Sequence, residues 1–295
     1  MGAALGAKAV TAIARLAGNR IHARRIAQIR LRNELQQRIA KSNWEKDMLI
    51  NQGELANLTA EFWWGHAAIS HVLSKFEAET ETRPRFPCIF GQNAVKRGNL
   101  RFLLIPYKFE TSQYDLSVLA SGLRTYIAHT NIRSIDLNHH CPLLVLFEPI
   151  TTLTATDHFK KVFIEAMQFL LDEDHGTWPA HVSKDPAHHT WTMCFDGCEL
   201  FVNVSHPGHV LRKSRNLGPG LAFVINPRKI FDIAAPADRK GRAITATIRR
   251  NIDIYDDVAH SPLLGSYLLG ETQWPQYMIP DNNEEAPLEC PLHFK

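Results

Sequence analysis

Short apolar runs punctuated by proline and turn residues predict a set of buried strands. The runs LRFLLIPY (100–107) and PLLVLFEP (142–149) are almost entirely apolar, which is typical of strands buried on both faces. Three later runs, TWTMCF (190–195), ELFVNVS (199–205) and GLAFVINP (220–227), are rich in β-branched and aromatic residues. The pattern therefore predicts five principal strands.

Helical spacing of apolar residues predicts helices between and after these strands. One helix is predicted over 54–76, a second after Asp115 as its N-cap, a third capped by Thr156 or Asp157, and a fourth over 241–257. Polar residues occupy the remaining positions of each helical period, as expected for helices that pack on a sheet with one face.

The order of these elements predicts the fold class. Helices and strands alternate at first, and the strands then cluster, which indicates an α/β (α+β) domain with a mixed β-sheet flanked by helices. A chain of 295 residues can bury one large core. We therefore predict a single main domain over residues 51–295, preceded by a basic helical N-terminal extension over residues 1–50.

The extension concentrates positive charge, and acidic residues are almost absent before Glu34. Its arginines are Arg15, Arg20, Arg24, Arg25, Arg30, Arg32 and Arg38. This composition fits a mitochondrial transit peptide, a solvated basic helix, or translation from an upstream start codon, with Met48 as the alternative start. We predict a cytoplasmic protein, with a mitochondrial location as the alternative.

Charge and hydropathy also limit the kinds of molecule with which the protein is expected to interact. The formal net charge of +3 comes from the extension, so the main domain carries no basic footprint for nucleic acid. No apolar run approaches the roughly 20 residues of a membrane span. The five cysteines are sparse and irregular, which predicts free thiols in a reducing compartment.

The segment RPRFPCIFG (83–91) carries a cysteine where neither helical nor strand periodicity is present. We predict a shaped loop, in which Pro87 holds Phe86 extended and Gly91 permits a tight turn. The backbone amides of residues 89–91 can then point at the sulfur of Cys88, which would stabilise a thiolate or tune a bound metal. The alternative is a buried structural cysteine at a loop corner.

The segment SHPGHVLRKSRNLGPG (205–220) is dense in basic residues directly after a strand. Arginine pairs well with carboxylate and phosphate groups, so this cluster is a candidate anion site, with a solvated basic loop as the alternative. Its members are His206, His209, Arg212, Lys213 and Arg215.

Cys194 and Cys198 flank Asp196 and Gly197, which predict a hairpin turn. A C-x-x-x-C pair is weak evidence for metal, because zinc ligands usually show other spacings. We therefore expect two structural cysteines that face each other in the sheet. The sequence contains no phosphate-binding loop, dinucleotide fingerprint, zincin motif or hydrolase elbow.

Three segments carry a resemblance to a known family. They are FPCIFGQNAVKRGNLRF (86–102), the stretch from WTMCFDGC to NPRKIFD (191–232) that contains SRNLG, and the C-terminal region from YDDVAHSP to CPLHF (255–294). From about Phe86 to the C-terminus the chain resembles the YqcI/YcgG family. The F-P-C-x-F-G and S-R-N-L-G segments are the most specific parts of this resemblance.

The resemblance implies a haem b protein. Family members with assigned roles are haem-dependent N-hydroxylases of guanidino groups, in pathways resembling D-cycloserine and guanitoxin biosynthesis. It implies Cys88 as the axial thiolate of the iron, with Phe86 and Phe90 packed on the porphyrin. The basic residues His209, Arg212, Lys213 and Arg215 would pair with haem propionates or with a substrate carboxylate, and His209 or His206 is the alternative iron ligand.

The activity implied is hydroxylation of a nitrogen in a guanidino or amino compound of the arginine type. Such a reaction uses dioxygen and electrons from an external donor, and Asp196 and Asp232 are candidate carboxylates for the guanidinium group. Two alternatives remain open. One is a haem-binding sensor or carrier without turnover, and the other is a cofactor-free or zinc-dependent protein that shares only the fold.

Overall fold

A six-stranded mixed sheet forms the centre of the fold. The computed structural model describes residues 49–57, 63–81, 84–129, 136–137 and 140–294. The strand order in the sheet is β1-β2-β5-β8-β7-β6, and β3 and β4 form a separate two-stranded ribbon. The strands are β1 (Ile50–Asn51), β2 (Arg101–Ile105), β3 (Tyr107–Lys108), β4 (Gln113–Tyr114), β5 (Leu143–Phe147), β6 (Met193–Phe195), β7 (Cys198–Ser205) and β8 (Ala222–Pro227).

Helices connect and cover these strands. The α-helices are α1 (Trp63–Ser74), α2 (Ile89–Lys96), α3 (Leu116–His129), α4 (Thr156–Asp172), α5 (Lys229–Ala234), α6 (Arg239–Tyr255) and α7 (Trp274–Tyr277). Short 3₁₀ helices span Gln52–Asn57, Lys213–Arg215 and Tyr267–Leu269. Within the described ranges, no helix is long and apolar enough to cross a membrane.

The central strands pair in both senses. β2 and β5 run parallel, with Phe102 opposite Leu144, and the connection between them contains α3. β5, β8 and β7 pair antiparallel, so that Val224 lies opposite both Leu144 and Asn203. All five residues of β5 are buried, which explains its continuous apolar run.

One face of the sheet is closed by α3 and α4. On this face Leu103 packs so tightly against α3 that a Cβ at Gly122 would lie 2.5 Å from the Leu103 methyl carbons. Phe163 of α4 meets Phe223 of β8 at a ring distance of 5.8 Å. This side of the sheet forms a continuous dry core.

The opposite face is only partly closed. α1 packs Ile69 and Val72 over Phe102 and Leu144, in a cluster of buried residues that reaches the start of β8. Further along the same face, four side chains of β7 and β8 remain partly exposed in the middle of the sheet: Phe201, Asn203, Val224 and Asn226. These residues form the floor of a cavity.

The predicted fold class is confirmed, as are the five principal strands and the helix predicted over 241–257, which spans Arg239–Tyr255. The hairpin turn is also confirmed, because Asp196 and Gly197 both have positive φ, at 51° and 69°. Two consecutive positive φ values mark the turn type that matches strand twist. Residues 1–48 of the predicted extension lie outside the described residues, so the transit-peptide interpretation stays a prediction.

Other local predictions were wrong. Residues 52–57 form a 3₁₀ helix rather than the start of a helix over 54–76. Ala155 is the N-cap of α4, without a side-chain hydrogen bond, in place of Thr156 or Asp157. Cys198 lies opposite Phe195 and Cys194 opposite Glu199, so the two cysteines point to opposite sides of the sheet instead of facing each other.

Candidate functional site

A large cavity lies over the uncovered face of β7 and β8. Its volume is about 1140 Å³, slightly above the usual range of about 300–1,000 Å³ for ligand sites. The Cys88 segment and α2 form one wall, α6 forms another, and the segment around Tyr267 contributes a third. All of these walls belong to the same unit of the chain, residues 49–295.

The floor of the cavity carries two amides among apolar side chains. Asn203 and Asn226 lie on neighbouring strands, offset by two positions on the same face of the sheet. His140 Nε2 lies 2.7 Å from Asn226 Oδ1, and burial lowers the pKa of His140 below its ordinary value. A neutral ring that donates from Nε2 fixes the amide so that its NH₂ group is left for a ligand.

Cys88 sits at the N-terminus of α2. The prediction of an irregular loop over residues 83–91 was therefore wrong at its end, because the helix begins at Ile89. Cys88 is the N-cap, with extended backbone angles, and its Sγ accepts a hydrogen bond from the Gly91 amide at 3.3 Å. The expected amide directed at the sulfur is present, and it comes from a helix rather than from a turn.

Phe86 and Gly91 fix this segment against its neighbours. Phe86 is buried between Phe76 and Tyr255, at ring distances of 4.4 and 5.5 Å. A Cβ at Gly91 would lie 3.0 Å from the Phe76 ring, so close packing, not a positive φ, explains the glycine. Phe90, on the other side of Cys88, is partly buried and lines the cavity.

The charge state of Cys88 follows from this environment. Burial raises the pKa of the thiol above its ordinary value, although the Gly91 and Phe90 amides and the Arg215 charge act in the opposite direction. Cys88 as a residue is partly buried, and it lines the cavity. A neutral thiol at pH 7 is therefore expected, which would lose its proton when a metal binds.

The basic segment after β7 is buried rather than solvated. The rings of His206 and His209 lie 4.0 Å apart in a tilted arrangement, and both are almost fully buried. His209 Nε2 donates to the Ile279 carbonyl at 2.9 Å, and its Nδ1 has no partner within the described residues. Neither histidine lines the cavity, so the geometry does not bring the alternative iron ligands to the Cys88 wall.

Arg212 and Lys213 already have protein partners. Arg212 donates from Nε to the Pro280 carbonyl at 2.8 Å and from one NH₂ group to Asn283 Oδ1 at 2.8 Å. Lys213 pairs with Asp257 at 2.6 Å near the surface. These contacts attach the segment to the C-terminal region and use much of its donor capacity.

Arg215, like Arg212, is buried and lines the cavity, but it differs in its contacts. Those to the carbonyls of Val204, Tyr277 and Gln276 are long, at 3.4 to 3.5 Å. Burial and the Arg212 charge lower its pKa to about 10, so the guanidinium is still charged at pH 7. Arg215 is therefore the member of the predicted basic cluster with the weakest protein contacts, and its charged guanidinium can still bind a ligand.

The two candidate carboxylates separate in the structure. Asp196 occupies the exposed hairpin turn and does not line the cavity. Asp232 of α5 does line it, and it accepts a hydrogen bond from the Tyr267 hydroxyl. Sequence analysis missed the floor amides and the arginines of α6, because a polar residue in a strand and a basic run in a helix usually indicate solvent.

The residues present fit a haem. The iron of a haem takes an axial thiolate from a single cysteine, and Cys88 presents its sulfur to a largely apolar cavity between Phe86 and Phe90. Within the described ranges, no group of three or more His, Cys, Asp and Glu side chains could hold a bare metal ion.

Comparisons with known proteins agree with the sequence resemblance. The chain is 34% identical over 233 residues to a Streptomyces lavendulae protein named "Putative N(omega)-hydroxy-L-arginine synthase DcsA". The matched region covers 79% of this chain and 85% of that protein. It is 28% identical over 213 residues to the uncharacterized protein YcgG of Bacillus subtilis, covering 71% and 81% of the two chains. The uncharacterized protein YqcI of the same organism matches at 28% over 212 residues, 70% of this chain and 80% of that protein.

No solved structure matches the chain significantly. The model of the YqcI/YcgG family matches residues 76–293, which include the Cys88 segment, every strand of the sheet except β1, and every wall of the cavity. The protein is a member of the YqcI/YcgG family.

Proposed function

We propose that this protein is a haem-dependent monooxygenase that hydroxylates a guanidino nitrogen of arginine or a similar compound. The observation that carries the proposal is the position of Cys88, which presents its sulfur to the large cavity from the N-terminus of α2. Similarity to the Streptomyces relative supports the substrate class, because that relative is named for the synthesis of N-hydroxyarginine.

The overall reaction needs dioxygen and an electron donor. One oxygen atom enters the substrate N–H bond as N–OH, and the second leaves as water with two protons and two electrons from an external reductant. Haem supplies activation of dioxygen when it is bound. The protein supplies the ligand, the orientation of the substrate and a pocket that excludes water.

Cys88 is the proposed axial ligand. Binding to iron would displace the proton of its neutral thiol, and the Gly91 amide would then donate a stronger hydrogen bond to the charged sulfur. The Arg215 charge acts on Cys88 in the same direction. Phe86 and Phe90 would supply apolar contacts to the macrocycle from either side of the ligand.

Asp232 is the proposed partner of the guanidinium group. Carboxylates bind guanidinium with paired hydrogen bonds, and Asp232 lines the cavity with a carboxylate oriented by the Tyr267 hydroxyl. The positive charge of Arg228, whose guanidinium lies 3.4 Å from the centre of the Tyr267 ring, supports the orientation of Tyr267.

The first test is the absorption spectrum of the purified protein, oxidised and then reduced under carbon monoxide, with a haem assay. A strongly red-shifted Soret band of the reduced carbonyl form would support a thiolate ligand. Cys88→Ser should abolish or strongly change this spectrum, whereas the matched variant Cys198→Ser should leave it almost unchanged, because Cys198 is buried in β7 outside the cavity lining.

The second test is product formation from arginine with a reductant and dioxygen. Haem binding without N-hydroxylated product from any guanidino compound would favour a sensor or carrier. A protein that binds no haem after reconstitution would refute the proposal and leave the family relationship as a statement about fold.

A further inference from the structure

Three arginines of α6 form a basic stripe on the wall of the cavity. Arg242, Arg249 and Arg250 all line it, and we call them the arginine stripe. A separation of seven residues places Arg242 and Arg249 on one side of the helix, about 10 Å apart along its axis, with Arg250 beside them. Within the described residues none of the three forms an ion pair with a carboxylate.

Most hydrogen-bond donors of the stripe have no partner among the described residues. Arg242 donates once, to the Ala237 carbonyl at 2.9 Å, and Arg249 donates to the Leu264 carbonyl. The Nε of Arg249 is buried without a partner in the part of the chain that the structure describes. A guanidinium has five donors, so the stripe presents several of them to the cavity.

Among the described residues, the acidic side chains of the cavity have other partners and form no ion pair with the stripe. Asp253 accepts from the His260 backbone and ring at 2.7 and 2.9 Å. Glu271 accepts from the Ser266 amide at 2.7 Å, and Asp232 from Tyr267. Residues 239–252 contain no acidic residue, so this wall of the cavity is strongly positive.

We propose that the arginine stripe binds carboxylate groups of the molecules that occupy the cavity. Planar guanidinium groups match carboxylates geometrically, and a partly enclosed site strengthens such pairs. The carboxylates are either the haem propionates or the carboxylate of an amino-acid substrate, so the assignment rests on the proposed function. It places on the arginines of α6 a role that the sequence predicted for Arg212 and Lys213, both of which already have protein partners.

The test compares ligands that differ only in the carboxylate. Haem and haem dimethyl ester are titrated into the full-length protein by Soret absorbance, and L-arginine and agmatine by calorimetry. We expect at least one carboxylate ligand to bind about tenfold more tightly than its partner. Arg250→Gln should reduce this preference, and Arg242→Gln with Arg250→Gln should remove it.

Two further variants test whether a change in binding preference comes from the lost charge of the stripe or from a change in folding. Arg249→Lys keeps the positive charge and should retain most of the preference. Arg239→Gln removes a charge from the same helix at an exposed position outside the cavity lining and should change nothing.

The outcomes are distinguishable. Loss of the haem preference assigns the stripe to propionates, and loss of the arginine preference assigns it to the substrate. Unchanged preferences in the double variant, or no preference in the wild-type protein, would overturn the proposal. A wild-type protein that binds no haem but shows a stripe-dependent preference for arginine would refute the haem function alone.

Discussion

The buried pair His206 and His209 makes the stability of the protein sensitive to acid. His206 is 2% exposed, its ring stacks on Phe159, and it lies tilted against His209. Burial, together with the charges that His209 and Lys160 would add, lowers the pKa of His206 from 6.5 to about 3. The folded state therefore rejects a proton that the unfolded chain accepts.

The size of the effect follows from linkage between protonation and folding. A histidine whose pKa is depressed on folding contributes no penalty above its unfolded pKa, and the penalty grows as the pH falls below 6.5 towards the folded value. Between pH 8 and pH 5, a shift from 6.5 to about 3 lowers the free energy of unfolding by about 2 kcal/mol. Burial also lowers the pKa of His209, which adds to the loss in the same direction.

Urea unfolding at pH 8 and pH 5 measures this effect directly. His206→Gln cannot titrate, so its loss of stability between the two pH values should be smaller than that of the wild-type protein by about 2 kcal/mol. His66→Gln, at an exposed position of α1, is the matched control and should behave as wild type. An equal loss in His206→Gln and wild type would refute the assignment of acid sensitivity to this ring.

Two further predictions concern the elements that build the cavity. A Cβ at Gly241 would lie 1.7 Å from the Pro236 carbonyl oxygen, so Gly241→Ala should lower the free energy of unfolding by about 2 kcal/mol or more, whereas Gly53→Ala, with open space around it, should be nearly neutral in the same thermal melt. Tyr277→Phe removes the hydroxyl that accepts from the buried Met193 amide at 3.0 Å, and urea unfolding should show a loss of about 1–3 kcal/mol; a neutral result would mean that the amide finds another partner.

The sequence predicts the sheet well, because the patterns that mark strands and turns are local in the sequence. Continuous apolar runs that end at prolines locate β2 and β5, and the Asp196–Gly197 pair locates the hairpin. The Cys88 segment was predicted as a shaped loop because residues 83–91 show neither helical nor strand periodicity. Packing of Phe76 over Gly91 and capping by the Cys88 sulfur are long-range or unusual contacts that no periodicity reveals.

The contacts of the basic residues, in contrast to the sheet, could not be predicted from the sequence. The density of charge around Arg212 correctly marks an unusual segment, but its partners are carbonyl and amide oxygens of residues 280–283, which only the folded chain brings near. The arginines of α6 follow a pattern that normally indicates a solvated helix face. Their position in the cavity depends on how α6 packs beside the sheet, and spacing alone does not contain that information.

The amides and apolar side chains of the cavity floor have a consequence for the life of the protein in a cell. Phe201 and Val224, on the central strands, remain partly exposed to the cavity. A ligand that binds this surface only in the folded state stabilises the protein, by about 2.7 kcal/mol at a free concentration one hundred times its dissociation constant. The half-life of the protein should therefore follow the supply of its ligand, and chains made during a shortage of that ligand should be degraded first.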